Sequence, residues 1–214
     1  MKFSEEIYKN SLSIWKKFVP HSFLKAVADG TIDKRLFSQW LSQDFLFVKG
    51  AIRFMLVLAS RAPDMQLPYL VEASYLISKE IDMFEKAAIK LGTRLEGYTN
   101  LLNESYISYL ISIAHSASYL EGLTALYCEE RAYYESWNWV KENTDLQRNP
   151  YSELISYWSS EGFKNYVGAL ERMLNEEAEI VGGDEKNRAK EVCRRVSEFE
   201  LAFWDSIMLS NMRE

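Results

Sequence analysis

Three acidic side chains stand on helix faces that are otherwise apolar. Asp44 shares its stripe with Trp40, Phe47 and Val48, Glu129 with Ala125, Ala132 and Tyr133, and Glu200 with Val196, Phe203 and Trp204. In each group the acid lies three or four residues from its bulky neighbours, the separation that brings side chains onto one face of an α-helix. An ionised carboxylate withdrawn from water without partners is strongly disfavoured. Three such acids in one chain of 214 residues therefore predict a shared polar chamber walled by aromatic rings. A carboxylate desolvated in this way holds its proton more tightly, which suits it to general acid–base work. Each acid taken alone also has a plainer reading, as a backbone cap or as the partner of an arginine.

The elements that must position these acids are helices. With 48% hydrophobic and 26% charged residues, the chain can bury one substantial core and needs no second domain. Nine Gly and four Pro are few for this length, and only Gly182-Gly183 and the stretch near Asn149-Pro150 read as strong breaks, so the fold class is all-α. Ser4, followed by Glu5 and Glu6, suits the N-cap of a helix that stops near Phe18, before Pro20. A short helix from His21 follows, then turn chemistry at Asp29-Gly30-Thr31. Helical periodicity predicts further helices from Asp33 to Ser60, Tyr69 to Leu91, Leu101 to Ser116, Tyr119 to Lys141, Tyr151 to Ser156, Glu161 to Ile180 and Glu185 to Met212.

Several function classes are disfavoured. A net charge of −6 with only isolated basic pairs argues against a nucleic-acid partner, because neutralising phosphates needs clustered Lys and Arg. The acidic run Glu176-Glu177-Ala178-Glu179 and the basic residues from Arg188 to Arg195 read as solvated faces on either side of a turn. No apolar stretch approaches membrane-spanning length, and Met1 to Tyr8 lacks the pattern of a secretory leader, so a cytoplasmic protein without a membrane partner is expected. Cys128 and Cys193 both fall within helical patterns and read as reduced thiols. His21 and His115 have no ligating partner at helical spacing, so no metal is expected. A di-iron bundle would carry Glu-x-x-His pairs, which are absent, and a haem would depend on His21 as axial ligand; no cofactor is expected.

Asp29-Gly30-Thr31, Phe37, Trp40-Leu41-Ser42-Gln43-Asp44 and Phe45-Leu46-Phe47 together resemble the signature of the TenA/thiaminase II family. Ser105 to Leu110 with Ala114, Leu123 to Glu135, and Glu198-Phe199-Glu200 with Phe203-Trp204 agree in order and spacing, so the resemblance covers nearly the whole chain. It implies one haem-oxygenase-like helical domain over residues 1–214, assembled as a homotetramer, that cleaves or deaminates aminopyrimidines related to the thiamin pyrimidine. Carried over, the pyrimidine-binding Asp corresponds to Asp44, the aromatic beside it to Phe47, two Tyr to Tyr106 and Tyr133, and the C-terminal catalytic Glu to Glu200. The chemistry is coherent. A carboxylate can meet the amidine edge of an aminopyrimidine with two hydrogen bonds while Phe47, Tyr133 and Phe203 enclose the ring.

The departure from the family pattern lies at the nucleophile. Thiaminase II carries a Cys four residues before a Tyr-Tyr pair; with Tyr133-Tyr134 in register that position is Glu129, and Cys128 falls one residue earlier, about 100° around the helix. The chain thus resembles the branch that lacks the cysteine and hydrolyses an amino- or formylamino-pyrimidine, with Glu129 as base and Glu200 as acid. Trp158 stands where the family has a Tyr, which alters recognition of the substituent, and Phe84 stands four residues after Glu80 where many relatives carry a His. Two alternatives remain beside this reading. One is a thiaminase II that uses Cys128; the other is a protein that binds the pyrimidine without turning it over. All require residues 44, 129 and 200 to converge on one chamber.

Overall fold

Local caps set the helix boundaries. The computed structural model describes residues 1–95 and 97–209, and among them ten α-helices and no strand occur. They are α1 (Phe3–Phe18), α2 (Ser22–Ala28), α3 (Lys34–Ala59), α4 (Leu67–Ser78), α5 (Glu80–Leu91), α6 (Leu101–Ser116), α7 (Tyr119–Glu142), α8 (Ser152–Trp158), α9 (Glu161–Ile180) and α10 (Gly183–Leu209). Asp33, Asn100 and Ser160 each accept a hydrogen bond from a backbone N–H two or three residues on, which satisfies a donor that the first helical turn leaves open. Gly92 ends α5 in the left-handed conformation, φ 62°, which costs a glycine nothing.

The all-α expectation holds, with three local differences. Ser4 does not cap α1: Lys2 is the N-cap residue, and Ser4 is buried inside the helix, donating from its hydroxyl to Glu171 at 2.9 Å. The helix expected from Tyr69 to Leu91 is two helices that meet at Lys79, whose N–H turns to the carbonyl three residues back. That tightening leaves the backbone in the right-handed region, so no glycine or proline marks it in the sequence. The expected end of the last helix, residues 210–212, lies outside the described residues.

The chain divides into two compact units, Met1–Ile32 with Leu123–Glu214, and Asp33–Gly122. In the first, α1 and α10 run parallel, tied by Lys190 to Glu6 at 2.8 Å and by His21 Nε2 to Asp205 at 3.1 Å, a constant offset along both segments. α9 runs antiparallel to α7, because Glu130 meets Tyr166 while Tyr134 stacks on Phe163. In the second unit α3 is the spine, packed against α4, α5 and α6.

One expectation is overturned. Cys128 and Cys193 are not reduced thiols but a disulfide joining α7 to α10, with 5.8 Å between the α-carbons. Helical context alone could not reveal this, since the partners lie 65 residues apart and meet only where two buried helix faces pack.

Candidate functional site

All three expected acids are buried, Asp44 at 2%, Glu129 at 8% and Glu200 at 5% relative exposure. The helices that carry them explain why. Residues 121–130 of α7 are buried on every side, so an acid placed there is largely shielded from bulk water. Val196, Glu200, Phe203, Trp204 and Ile207 form the buried stripe of α10. Asp44 sits on the apolar face of α3 with Trp40, Phe47 and Val48. The eight candidate side chains fall on both units: Glu129, Tyr133, Trp158, Glu200 and Phe203 in the first, Asp44, Phe47 and Tyr106 in the second.

In the first unit an aromatic cluster surrounds the acids' helices. The Tyr133 ring stacks on Trp204 of α10, 6.4 Å between centroids and 16° between planes, and meets Trp158 of α8 edge-on at 5.2 Å. Trp137 closes the cluster at 5.2 Å from Trp158, and Phe203 lies edge-on to Trp204. Glu129 is one turn before Tyr133, and Glu200 one turn before Trp204. On the N-terminal side of both acids, in the same two helices, stands the Cys128–Cys193 disulfide. The two acids therefore lie along α7 and α10 between a covalent tie and a stacked ring pair. Glu130 is a different case: it faces α9 and accepts from the Tyr166 hydroxyl at 2.9 Å. Around α7, Glu129 is about 40° from Tyr133, whereas Cys128 is about 140° away. The Cys128 sulfur is bonded to Cys193, so a nucleophilic role for it would first require reduction of that bond.

In the second unit Phe47 and Tyr106 face each other across α3 and α6, with ring centroids 4.9 Å apart. A polar clamp fixes that turn of α3. The Gln43 side-chain carbonyl accepts from the Asn100 backbone N–H at 3.0 Å and from Asn103 Nδ2 at 3.1 Å, while the Gln43 backbone carbonyl takes a second bond from Nδ2 at 2.7 Å. Gln43 thus pins the start of α6 beside Asp44. Its place next to the acid was visible in the sequence, but its role depends on Asn103, sixty residues away.

Arg131 drew no attention in the sequence, although its spacing from Tyr127 and Glu135 carries a signal. Its guanidinium lies 4.2 Å from the centre of the Tyr8 ring, donates from Nε to Glu135 at 2.7 Å and from Nη1 to the Tyr127 hydroxyl at 3.0 Å. Burial pushes the Tyr127 hydroxyl up to about 12. Among the described residues no group of three or more His, Cys, Asp and Glu side chains is arranged to hold a metal ion, and no helix is long and apolar enough to cross a membrane.

Comparison with known proteins adds a family. A sequence model of the TENA/THI-4/PQQC family matches residues 8–210. The chain is 26% identical to an aminopyrimidine aminohydrolase of Halalkalibacterium halodurans, over 96% of this chain and 95% of that one. The crystal structure of a TenA homologue from Pyrococcus furiosus superposes with a TM-score of 0.93 at 51% identity, covering 96% of this chain and 99% of that one. The fold is likewise that of a domain of unknown function from Shewanella denitrificans described as having a haem-oxygenase-like fold, at a TM-score of 0.75 and 14% identity, over 98% and 91% of the two chains.

Proposed function

Since the chain belongs to the TENA/THI-4/PQQC family, we propose that it is an aminopyrimidine aminohydrolase, a hydrolase that breaks a C–N bond in a thiamin-derived aminomethyl-pyrimidine and so salvages the ring. The observation that supports the chemistry most is the placement of Glu129 and Glu200 on α7 and α10, two buried acids each one turn from a member of the Tyr133–Trp204 stack. Flat rings beside buried carboxylates suit a planar heterocycle that must both stack and exchange protons.

In this reading Asp44 holds the amidine edge and Glu200 protonates the opposite ring nitrogen, which draws electrons into the ring. Glu129 takes a proton from water. The water oxygen forms a bond to the exocyclic methylene as the C–N bond breaks, the electron pair leaves with the amine, the proton held by Glu129 completes ammonia, and the ring nitrogen returns its proton to Glu200. Phe47, Tyr106, Tyr133, Trp158 and Phe203 shape the pocket, and Trp158, a donor only, selects what the substituent can offer it. The protein needs no metal or organic cofactor for these steps.

A homotetramer and a cytoplasmic location belong to the same proposal. Leu67, Val71 and Tyr75 form an exposed apolar stripe on α4, 36%, 48% and 60% exposed, of the kind that subunit contacts cover. Disulfides are rare in cytosolic proteins outside hyperthermophiles, so a cytoplasmic location places this Cys128–Cys193 bond among the exceptions.

The deciding experiment is incubation with aminomethyl-, formylaminomethyl- and thiazolium-substituted pyrimidines, with products identified by mass spectrometry. Amine release is expected from the first, and Glu200→Gln should slow it by roughly 10²- to 10⁴-fold with the helical signal unchanged. Binding of all three without turnover would leave a pyrimidine-binding protein instead.

A further inference from the structure

Away from the acids and rings above, the first unit carries a cleft of about 740 Å³ between α1, α7 and α9, lined by none of the eight candidate residues. That volume is in the range that encloses a small organic molecule. Arg131 lies in its wall. The Tyr8 ring, the Tyr127 hydroxyl and Glu135 fix its plane and leave Nη2 without a hydrogen-bond partner among the described residues, on a side chain only 22% exposed. Burial works against the charge, but Glu135 and Tyr127 outweigh it and hold the guanidinium above its ordinary pKa.

The charges around the cleft are unequally used. Its acids are engaged: Glu135 by Arg131, Glu171 by the Ser4 hydroxyl at 2.9 Å, and Glu5 by the Lys2 backbone N–H at 3.2 Å. Its cations retain donors. Lys9 meets only the Met1 sulfur at 3.5 Å among the described residues, and Lys164 reaches only Glu161 on its own helix, at 3.4 Å. Tyr134, Leu12 and Val167 add apolar wall. Each of these carboxylates has one oxygen tied to a donor of the protein, whereas Arg131, Lys9 and Lys164 keep N–H groups to spare, and a guanidinium held in one plane favours the two-oxygen face of a carboxylate or phosphate.

We propose that this cleft is a second binding site, for a small organic anion carrying a planar ring, its oxygens on Arg131 and its ring against Tyr134. The site stands independently of the reaction proposed above.

Gly168 supplies the test. It lines the cleft, and a β-carbon built there meets nothing nearer than Arg172 Nη1 at 3.8 Å, so Gly168→Leu fills the space without disturbing α9. Calorimetry of the full chain with phenyl phosphate, benzoate, phenol and inorganic phosphate, together with the Arg131 Nε resonance, reads the outcome. Phenyl phosphate or benzoate should bind and shift that resonance, and whichever binds more tightly names the anion. Phenol and inorganic phosphate, each lacking half of the ligand, should bind more weakly by about tenfold or more. Gly168→Leu should abolish binding while its circular dichroism stays that of the parent. Affinity unchanged in Gly168→Leu, equal affinity for phenol and phenyl phosphate, or no binding of any anion to the parent protein would overturn the proposal.

Discussion

At the scale of single residues, burial is what turns common side chains into reagents. Glu129 and Glu130 are neighbours in sequence and both buried, yet Glu130 is committed to the Tyr166 hydroxyl whereas Glu129 shares the face of Tyr133. One residue of helix, about 100°, separates a structural acid from a candidate base. Tyr127 shows the same effect on proton affinity. Its hydroxyl rises from 10.0 to about 12, chiefly by burial. A phenol whose folded value exceeds its unfolded value favours the fold while neutral, so its contribution is complete below pH 10 and is lost as pH climbs from 10 to 12. Tyr127→Phe, which cannot ionise, should flatten the alkaline limb of stability in that window, at a constant loss of about 1 kcal/mol for the hydrogen bond from Arg131, as read by urea unfolding at fixed pH. A limb as steep as the parent's would assign the alkaline loss to other groups.

At the scale of elements, the seams between helices carry most of what can be tested. The disulfide between α7 and α10 closes a long loop, its ends 65 positions apart in sequence, and in the chain-entropy account removing it costs about 4 kcal/mol. Cys128→Ala should therefore lower the melting temperature by roughly 10 °C in a chain of this size while amine release at low temperature largely persists. Loss of activity without loss of stability would instead make Cys128 a reagent. The α3 seam offers a contrast between two glycines. A β-carbon on Gly50 would lie 2.6 to 2.9 Å from three carbons of Ile107, a branched side chain held close to α6, so Gly50→Ala should destabilise by about 1–3 kcal/mol. On Gly122 the short contact is to the far end of Leu58, which can swing aside, and Gly122→Ala should be nearly neutral in the same denaturation experiment. Most helix boundaries could be read in advance from periodicity, and Asp33, Asn100 and Gly92 fix three of them chemically in the structure. The interruption at Lys79 could not, since its backbone never leaves the helical region.

At the scale of the whole molecule, α4 exposes Val71 and Tyr75, and Met65 just before it is 91% exposed. A helix that is apolar on both faces calls for a cover beyond its own unit. If that cover is another subunit, sedimentation equilibrium should give a tetramer and Tyr75→Glu should dissociate it; a parent protein that sediments as a monomer would refute the assembly. Charge points the same way as composition. The net −6 remains an argument against a nucleic-acid partner, and Arg131, Lys9 and Lys164 all line the one cleft between α1, α7 and α9.

The amino-acid sequence by itself determined the helical class, most of the helix limits, the burial of Asp44, Glu129 and Glu200, and the family, because periodicity, caps and a motif spread over the chain are local properties added along its length. Tertiary structure alone decided that Cys128 is bonded to Cys193, that Gln43 clamps Asn103, that Tyr133 stacks on Trp204, and that Arg131 lines a second cleft. Each of these is a meeting of residues sixty or more positions apart, Arg131 and Tyr8 among them, and no local pattern specifies which faces of two buried helices will pack together.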